Sequence, residues 1–394
     1  MKTRTSTIWL TAVVLAAGLL VGCSNPEARI VDTWNAKAAA TYLDQRADWW
    51  MGWQRASRDH DTFCISCHTT LPYALSRSAL RESLADNAPS ATERRLVENV
   101  TKRVRLWSDA RPYYTDHDGE YKATESRGTE AVINALILAG HDAQNGRFSE
   151  DTATAFDHMW DVQQNAGEHS GAWPWLQFGL NPWEGKDSQY YGAALAALAI
   201  GTAPGDYQSS PAIRSKLDLL RAYLDREYVR QPLSNRVVLL WASTKVNGLL
   251  DGQRARSLVN ELLAAQRPDG GWSLSALNRS PGTSAFRSYV LSWIRDDGIP
   301  HETTSDGYAT GLVTFVLMQT GTPRRNQQLE EGLSWLGRNQ DRTDGFWPAS
   351  SLNTRRDPIS NAGRFMSDAA TAYAVLALSE ASRNDLPRTS PQVR

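Results

Sequence analysis

The apolar residues of this chain alternate between amphipathic helical stretches and runs rich in small residues. Leu258 to Leu263 and Leu329 to Leu336 have apolar residues at helical spacing with polar residues between them. Each stretch is followed by a glycine-containing turn, a polar loop and then a segment of small and apolar residues, as also in residues 188–194. Glycine lets the chain turn sharply, and small residues allow close helix packing. The pattern predicts an all-α chain of helical hairpins.

The turns between the two kinds of helix repeat in sequence. Gln266 to Trp272 is echoed by Gln340 to Trp347, and more weakly by Gln163 to Trp173. Such repeats are typical of folds in which neighbouring units bury a shared core. Over residues 150–380 they resemble the Gln-Trp repeats of terpenoid cyclases and protein prenyltransferase β-subunits. The resemblance implies an α/α toroid, in which an outer helix, a Gln/Gly/Trp turn and an inner helix repeat around a ring.

Three further segments fit the same unit. Glu125 and Asn235 begin apolar runs, and residues 42–75 supply an outer helix followed by an inner helix that starts at Cys64. Because six hairpins close an α6/α6 barrel, we expect a toroid over residues 35–385. The remaining residues are assigned as a signal peptide (1–22), a linker (23–34) and a tail (386–394).

The N-terminus has the pattern of a bacterial export signal. Lys2 and Arg4 precede the apolar stretch Ile8 to Leu20, which is too short for a convincing membrane span. The stretch ends in Leu-Val-Gly-Cys, which resembles the lipobox of bacterial lipoproteins and implies acylation of Cys23 and membrane attachment through lipid. Ser24 favours the outer membrane, facing the periplasm. The alternative is an ordinary secretory signal with a chance cysteine.

Two of the three cysteines are spaced for cofactor chemistry. Cys64 and Cys67 lie three residues apart, and His68 follows at once. On one face of a helical turn, the thiols would reach the two vinyl groups of a haem and the imidazole would reach its iron. The motif resembles that of c-type cytochromes, which implies one covalent haem c with His68 as iron ligand. The sequence does not identify the sixth ligand of the iron.

Three other interpretations of the motif remain. A zinc site needs two further ligands of Cys or His type, and the chain has no second C-x-x-C. A thioredoxin-like redox pair needs a βαβ context, which this sequence does not predict. A plain disulfide between Cys64 and Cys67 is the strongest alternative.

In related toroids, the active-site residues lie where the inner helices begin. The resemblance places acidic and tyrosine side chains at that rim: Glu125, Asp187, Tyr190, Asp306, Tyr308 and Asp368. The acid cluster of squalene-hopene-type cyclases has no counterpart, because the matching stretch 303–308 carries one carboxylate. No cysteine in this half matches the prenyltransferase zinc ligands. We therefore expect Asp306 and Asp368 to be helix N-caps and the repeated tryptophans to be packing residues.

Together these features predict a lipid-anchored periplasmic protein that transfers electrons through one haem held by the toroid. Its expected partner is a redox protein or a small electron carrier. A net charge of -1 gives no general attraction to nucleic acid. Two alternatives stay open: a haem-dependent oxidoreductase acting on an isoprenoid, quinone or glycan, and a haem-free toroidal binding or lyase-like protein.

Overall fold

The computed structural model describes residues 34–116, 121–279, 281 and 304–385. Within them, six outer helices are α1 (Ala36–Gly52), α3 (Ala91–Arg105), α5 (Glu150–Asp161), α7 (Arg214–Glu227), α9 (Gly252–Ala264) and α12 (Gln327–Arg338). Six inner helices are α2 (Thr70–Ser83), α4 (Lys122–Asn145), α6 (Ser188–Thr202), α8 (Leu233–Ser243), α11 (Gly307–Gln319) and α13 (Phe365–Asp385). The connections hold α10 (Leu274–Leu277), the antiparallel strands β1 (Ser57–Arg58) and β2 (Thr62–Phe63), and short 3₁₀ turns.

The inner helices form a closed ring. In order, α2, α4, α6, α8, α11 and α13 each pack against the next, and α13 packs against α2. The outer helices surround this ring, with α5 against α4 and α12 against α11. Because each inner helix follows an outer helix in the chain, all six run in one direction and begin at the same mouth of the ring. The prediction of an α/α toroid of six hairpins is confirmed.

The composition of the inner helices explains their place in the ring. Nearly every side chain of α6 and α11 is buried, including residues that an amphipathic helix would expose. Small residues permit this packing. An added Cβ at Gly311 of α11 would lie 2.5 Å from the backbone nitrogen of Ala374 in α13, so only glycine allows the two helices to approach this closely.

Each Gln-Trp turn binds its own outer helix and the next one. The indole Nε1 of Trp272 donates to the carbonyl of Leu262 at the end of α9, at 2.7 Å. The amide Nε2 of Gln266 donates to the carbonyl of Gly270 in the turn, at 2.8 Å, and to that of Gln328 at the start of α12, at 2.7 Å. These bonds connect the last turn of one outer helix, the Gln-Trp turn itself and the first turn of the next outer helix. The repeated sequence therefore encodes a repeated joint between hairpins.

The same joint closes the ring. Gln340 Nε2 donates to the carbonyl of Asn35 at 3.1 Å, and the backbone nitrogen of Asn35 donates to Gln340 Oε1 at 2.7 Å. The last Gln-Trp turn is thereby tied to the first outer helix. The indoles of Trp173 and Trp347 also donate to their outer helices, and all three tryptophans of the repeat are buried. They pack within the fold, as the sequence analysis expects.

The segment between α1 and α2 differs from the predicted helix start at Cys64. The backbone nitrogen of Cys64 donates to the carbonyl of Ala56 at 2.9 Å, next to the hairpin of β1 and β2. Helix α2 begins only at Thr70, with Pro72 in its first turn, where the missing N–H of proline leaves no bond unmade. The expectation that the cysteines lie on a helical turn is wrong. None of the described helices is long and apolar enough to cross a membrane.

Candidate active site

Two long connections cover the mouth where the inner helices begin. One joins α5 to α6 (162–187), and the other joins α12 to α13 (339–364). The backbone nitrogen of Asn181 donates to Oδ1 of Asn353 at 2.8 Å, and Nδ2 of Asn353 donates to the carbonyl of Asn181 at 2.7 Å. This pair of bonds holds the connections together above the ring.

His68 lies in an aromatic cluster beneath these connections. Its ring stacks on Phe365 with centroids 3.8 Å apart, and it lies 4.9 Å from Trp50 and 5.9 Å from Trp183. Trp183 in turn lies 5.8 Å from Tyr308. The cluster therefore joins the first hairpin, the α5–α6 connection and the starts of α11 and α13.

A buried hydrogen-bond network fixes the orientation of His68. Asp368 accepts bonds from Arg46 Nε at 2.7 Å, from the Tyr42 hydroxyl at 2.8 Å and from the Thr69 hydroxyl at 2.7 Å. The same Thr69 oxygen lies 2.8 Å from Nδ1 of His68. Because the hydroxyl proton of Thr69 points to Asp368, this network assigns a proton to Nδ1 and a lone pair to Nε2.

Burial controls the titration of the Cys-x-x-Cys-His motif. Burial, together with the charges of Arg46 and Arg356, lowers the pKa of His68 to about 3, so the imidazole is neutral. Burial raises the pKa of Cys64 to about 11 and the pKa of Cys67 well above its usual value. Both thiols therefore stay protonated at neutral pH, whereas metal binding and nucleophilic attack need the thiolate. The two sulfurs are not bonded to each other.

This arrangement does not fit a haem bonded to both cysteines. Protein atoms cover Cys64 and Cys67, which are 4% and 3% exposed. Phe365 lies against the face of the His68 ring. A porphyrin attached here would need space that these side chains fill.

Glu184, which the sequence analysis does not single out, has the pKa of a general acid or base. It lies in the α5–α6 connection beside Trp183, and the residue is half-buried. Burial raises the pKa of Glu184 to about 7, while the charge of Lys122 acts in the opposite direction. Its charge also raises the pKa values of Cys67 and Tyr114, so the carboxyl lies near both the motif and the exposed Tyr114. A carboxyl group that titrates near neutral pH in such a position is suited to proton transfer.

Three tyrosines from different inner helices meet near Cys67, and one of them also lies beside Trp183. Tyr191 is on α6, Tyr308 on α11 and Tyr373 on α13, and side-chain hydrogen bonding connects Tyr373 with the other two. Burial raises the pKa of Tyr373 to about 12 and the pKa values of Tyr191 and Tyr308 well above their usual value. All three hydroxyls therefore carry protons that they can donate.

The predicted rim residues divide into those near this cluster and those outside it. Tyr308 belongs to the cluster, and Asp368 supports His68 through Thr69. Asp306 is the N-cap of α11, with Oδ1 accepting from the backbone nitrogen of Ala309 at 2.8 Å. Asp368 lies inside the first turn of α13 and is not an N-cap, so that expectation is wrong.

The other predicted rim residues serve separate contacts. The Tyr190 hydroxyl donates to the carbonyl of Leu224 in the outer helix α7, at 3.0 Å. Glu125 accepts from Nζ of Lys122 at 2.8 Å. Asp187 is half-buried, and its charge contributes to the raised pKa of Tyr223 in α7. The cavity predicted from the sequence therefore shares only part of its lining with the observed cluster.

Comparisons with known proteins support the fold. No protein-family model and no curated protein matches the chain. Among solved structures, a polysaccharide lyase aligns with 90% of this chain and 99% of its own, at 12% identity and a TM-score of 0.53. A glycosidase variant aligns with 86% of this chain and 97% of its own, at 12% identity and a TM-score of 0.48. Another glycosidase variant, in complex with glucose, aligns with 87% of this chain and 98% of its own, at 13% identity and a TM-score of 0.49. At these identities, the likeness to the lyase shows the fold.

The classification of this chain as a metal-binding, electron-transferring cytochrome c is wrong. The fold is shared with a structure named as a polysaccharide lyase. In the part of the chain that the structure describes, no group of three or more His, Cys, Asp or Glu is placed to hold a metal ion. Covalent haem at Cys64, Cys67 and His68 stays a prediction. Acylation of Cys23 also stays a prediction, because residue 23 lies outside the described residues.

Proposed function

We propose that this chain is a haem-free toroidal enzyme that cleaves an acidic polysaccharide by β-elimination, with Glu184 as the proton acceptor. The observation that carries this proposal is the pKa of Glu184, which burial raises to about 7 at an aromatic-lined mouth of the ring. The toroidal fold, shared with a polysaccharide lyase, is consistent with it.

The rim offers aromatic surfaces and positive charge for such a substrate. Tyr114 and Phe178 are each 38% exposed, with ring centroids 5.0 Å apart. Arg58 lies 5.1 Å from the Tyr114 ring and Lys122 lies 4.9 Å from the Phe178 ring. The exposed rings suit the apolar faces of a uronic acid chain, and Arg58 suits its carboxylates. Lys122 is only 7% exposed and pairs with Glu125. The six inner-helix N-termini add positive partial charge at this mouth.

The mouth has groups for both proton transfers of an elimination. The Glu184 carboxylate takes the proton from the carbon beside the uronate carboxylate. The electron pair left on that carbon forms a double bond as the adjacent carbon–oxygen glycosidic bond breaks. The hydroxyl of Tyr114, which is 38% exposed at the rim, gives its proton to the leaving oxygen and regains one from protonated Glu184 through solvent. Protons and electrons balance without an oxidant or reductant.

The enzymatic proposal predicts a product with a distinctive spectrum. Incubation with polygalacturonate, alginate, hyaluronan or chondroitin sulfate is expected to yield, for at least one of them, unsaturated uronates that absorb in the ultraviolet. Neutral amylose is the control and should give no such absorbance. New reducing ends without ultraviolet absorbance would show hydrolysis in place of elimination. No product from any of these polymers would contradict an enzymatic role on acidic glycans.

The mass of the native protein separates this proposal from the haem prediction. We expect protein from a periplasm competent for cytochrome c maturation to have no added haem mass and no c-type pyridine haemochrome band. A mass lower by two hydrogens, restored by reductant, would show a disulfide between Cys64 and Cys67. A Cys64→Ala/Cys67→Ala variant is the control. One haem of added mass that disappears in this variant would refute the haem-free proposal.

A further inference from the structure

A second cavity lies at the opposite mouth of the ring, where the inner helices end. It has a volume of about 310 Å³ and is lined by side chains from all six inner helices. Leu136, Leu198, Phe315 and Leu376 contribute apolar surface. Its volume lies at the lower end of the range for small-molecule sites, roughly 300–1,000 Å³. The position and lining identify a second candidate binding site, separated from Glu184 by the length of the ring.

One residue of the lining has a buried hydrogen-bond donor without an acceptor. The indole Nε1–H of Trp241 has no hydrogen-bond partner among the described residues, and Trp241 is only 5% exposed. The ring of Trp241 is held edge-on by Phe315, with centroids 5.1 Å apart. A buried N–H left unpaired is unfavourable, so a ligand that supplies an acceptor here would be stabilised.

A cation lines the same cavity. Lys245 follows Trp241 by four positions and also lines the cavity. Burial lowers the pKa of Lys245, and the charge of Glu380 acts in the opposite direction. Glu380 is itself 3.6 Å from Arg383, which also pairs with Glu82. The lining thus carries two cations, Lys245 and Arg383, and one carboxylate, Glu380, so its net charge favours an anion.

We propose that this cavity binds a small amphipathic carboxylate, with its apolar chain against the leucine and phenylalanine side chains and its carboxylate between Trp241 and Lys245. A carboxylate only accepts hydrogen bonds, so one group satisfies both the indole N–H and the ammonium. The bond to Lys245 is charge-assisted and stronger than a neutral bond. A neutral ligand of the same shape would not balance the net positive charge of the lining.

Octanoate is the probe, with octan-1-ol as the neutral ligand of matched length. Isothermal titration calorimetry on the full chain is expected to show octanoate binding at least about 10-fold more tightly than octan-1-ol. Lys245→Met keeps the length of the side chain and removes its charge. We expect this variant to bind octanoate about 10- to 100-fold more weakly and octan-1-ol unchanged, because a hydrogen bond between charged groups is lost.

A second variant fills the cavity. Gly140 lines it, and an added Cβ at this position would meet nothing within 4 Å. Gly140→Leu is therefore expected to retain the fold, as measured by thermal unfolding, while abolishing octanoate binding. Undetectable octanoate binding to the unaltered chain, equal affinity for octanoate and octan-1-ol, or octanoate binding that persists in both variants would each overturn the proposal.

Discussion

Replacing Glu184 with glutamine is expected to slow elimination by about 100- to 10,000-fold, the usual contribution of a general acid or base. Glutamine keeps the shape of the side chain but cannot accept the proton. Because burial raises the pKa of Glu184 to about 7, the ionised, active form increases as the pH rises through 7. The value of kcat/KM should therefore rise through pH 7 and level off above it. Initial rates of ultraviolet absorbance across this range test both expectations.

Asp187→Asn is the matched control for this variant. Asp187 lies three positions from Glu184 in the same connection, and burial raises its pKa too. Its charge acts on Tyr223 of the outer helix α7, away from the aromatic cluster. We expect this control to keep the unaltered rate and pH profile. Equal losses of activity in both variants would indicate a general effect of negative charge at the rim. Glu184 would then not be the proton acceptor.

Asp368→Asn is expected to lower the free energy of unfolding by about 3–5 kcal/mol, because it leaves a buried arginine without its counter-charge. The side chains of Arg46 and Asp368 are 6% and 1% exposed, and their closest atoms lie 2.7 Å apart. The pair also joins the first outer helix to the last inner helix. Equilibrium unfolding in urea, followed by circular dichroism, measures the loss.

Asp151→Asn is the control for the effect of burial. Arg46 donates two bonds to Asp368, at 2.7 and 3.0 Å. Arg105 likewise donates two bonds to Asp151, at 2.7 and 2.8 Å, but these side chains are 68% and 30% exposed. A solvent-exposed pair contributes about 0–1 kcal/mol. Similar decreases in the free energy of unfolding of the two variants would show that Asp368 does not stabilise the ring through its buried charge.

The sequence predicts the ring well because the ring repeats. Gln266 and Trp272 occur again as Gln340 and Trp347, and each pair makes corresponding bonds. A residue that recurs in each repeat indicates a contact that also recurs, so its structural role can be predicted from the sequence. Asp306 was also predicted correctly as a helix N-cap, since its position before a glycine and an apolar run is a local signal.

The candidate site was harder to predict because nothing in it repeats. Glu184 lies in a connection without helical or strand periodicity, and its only sequence signal is a carboxylate beside Trp183. Its shifted pKa depends on burial that only the assembled ring provides. For the Cys64 motif, the local pattern favoured a helical turn, but the hairpin before it and Pro72 delay the helix start to Thr70.

The closure of the ring determines when the protein can finish folding. Asn35 and Gln340 are 305 positions apart, and Arg46 and Asp368 are 322 positions apart. Contacts at such separations form only after a large loss of chain entropy, and none can form before the last hairpin has left the ribosome. Until then, α1 can pack against α2 and α3 but not against α13, its partner across the closure of the ring. The part of α1 that α13 covers therefore stays exposed to aggregation until synthesis is complete.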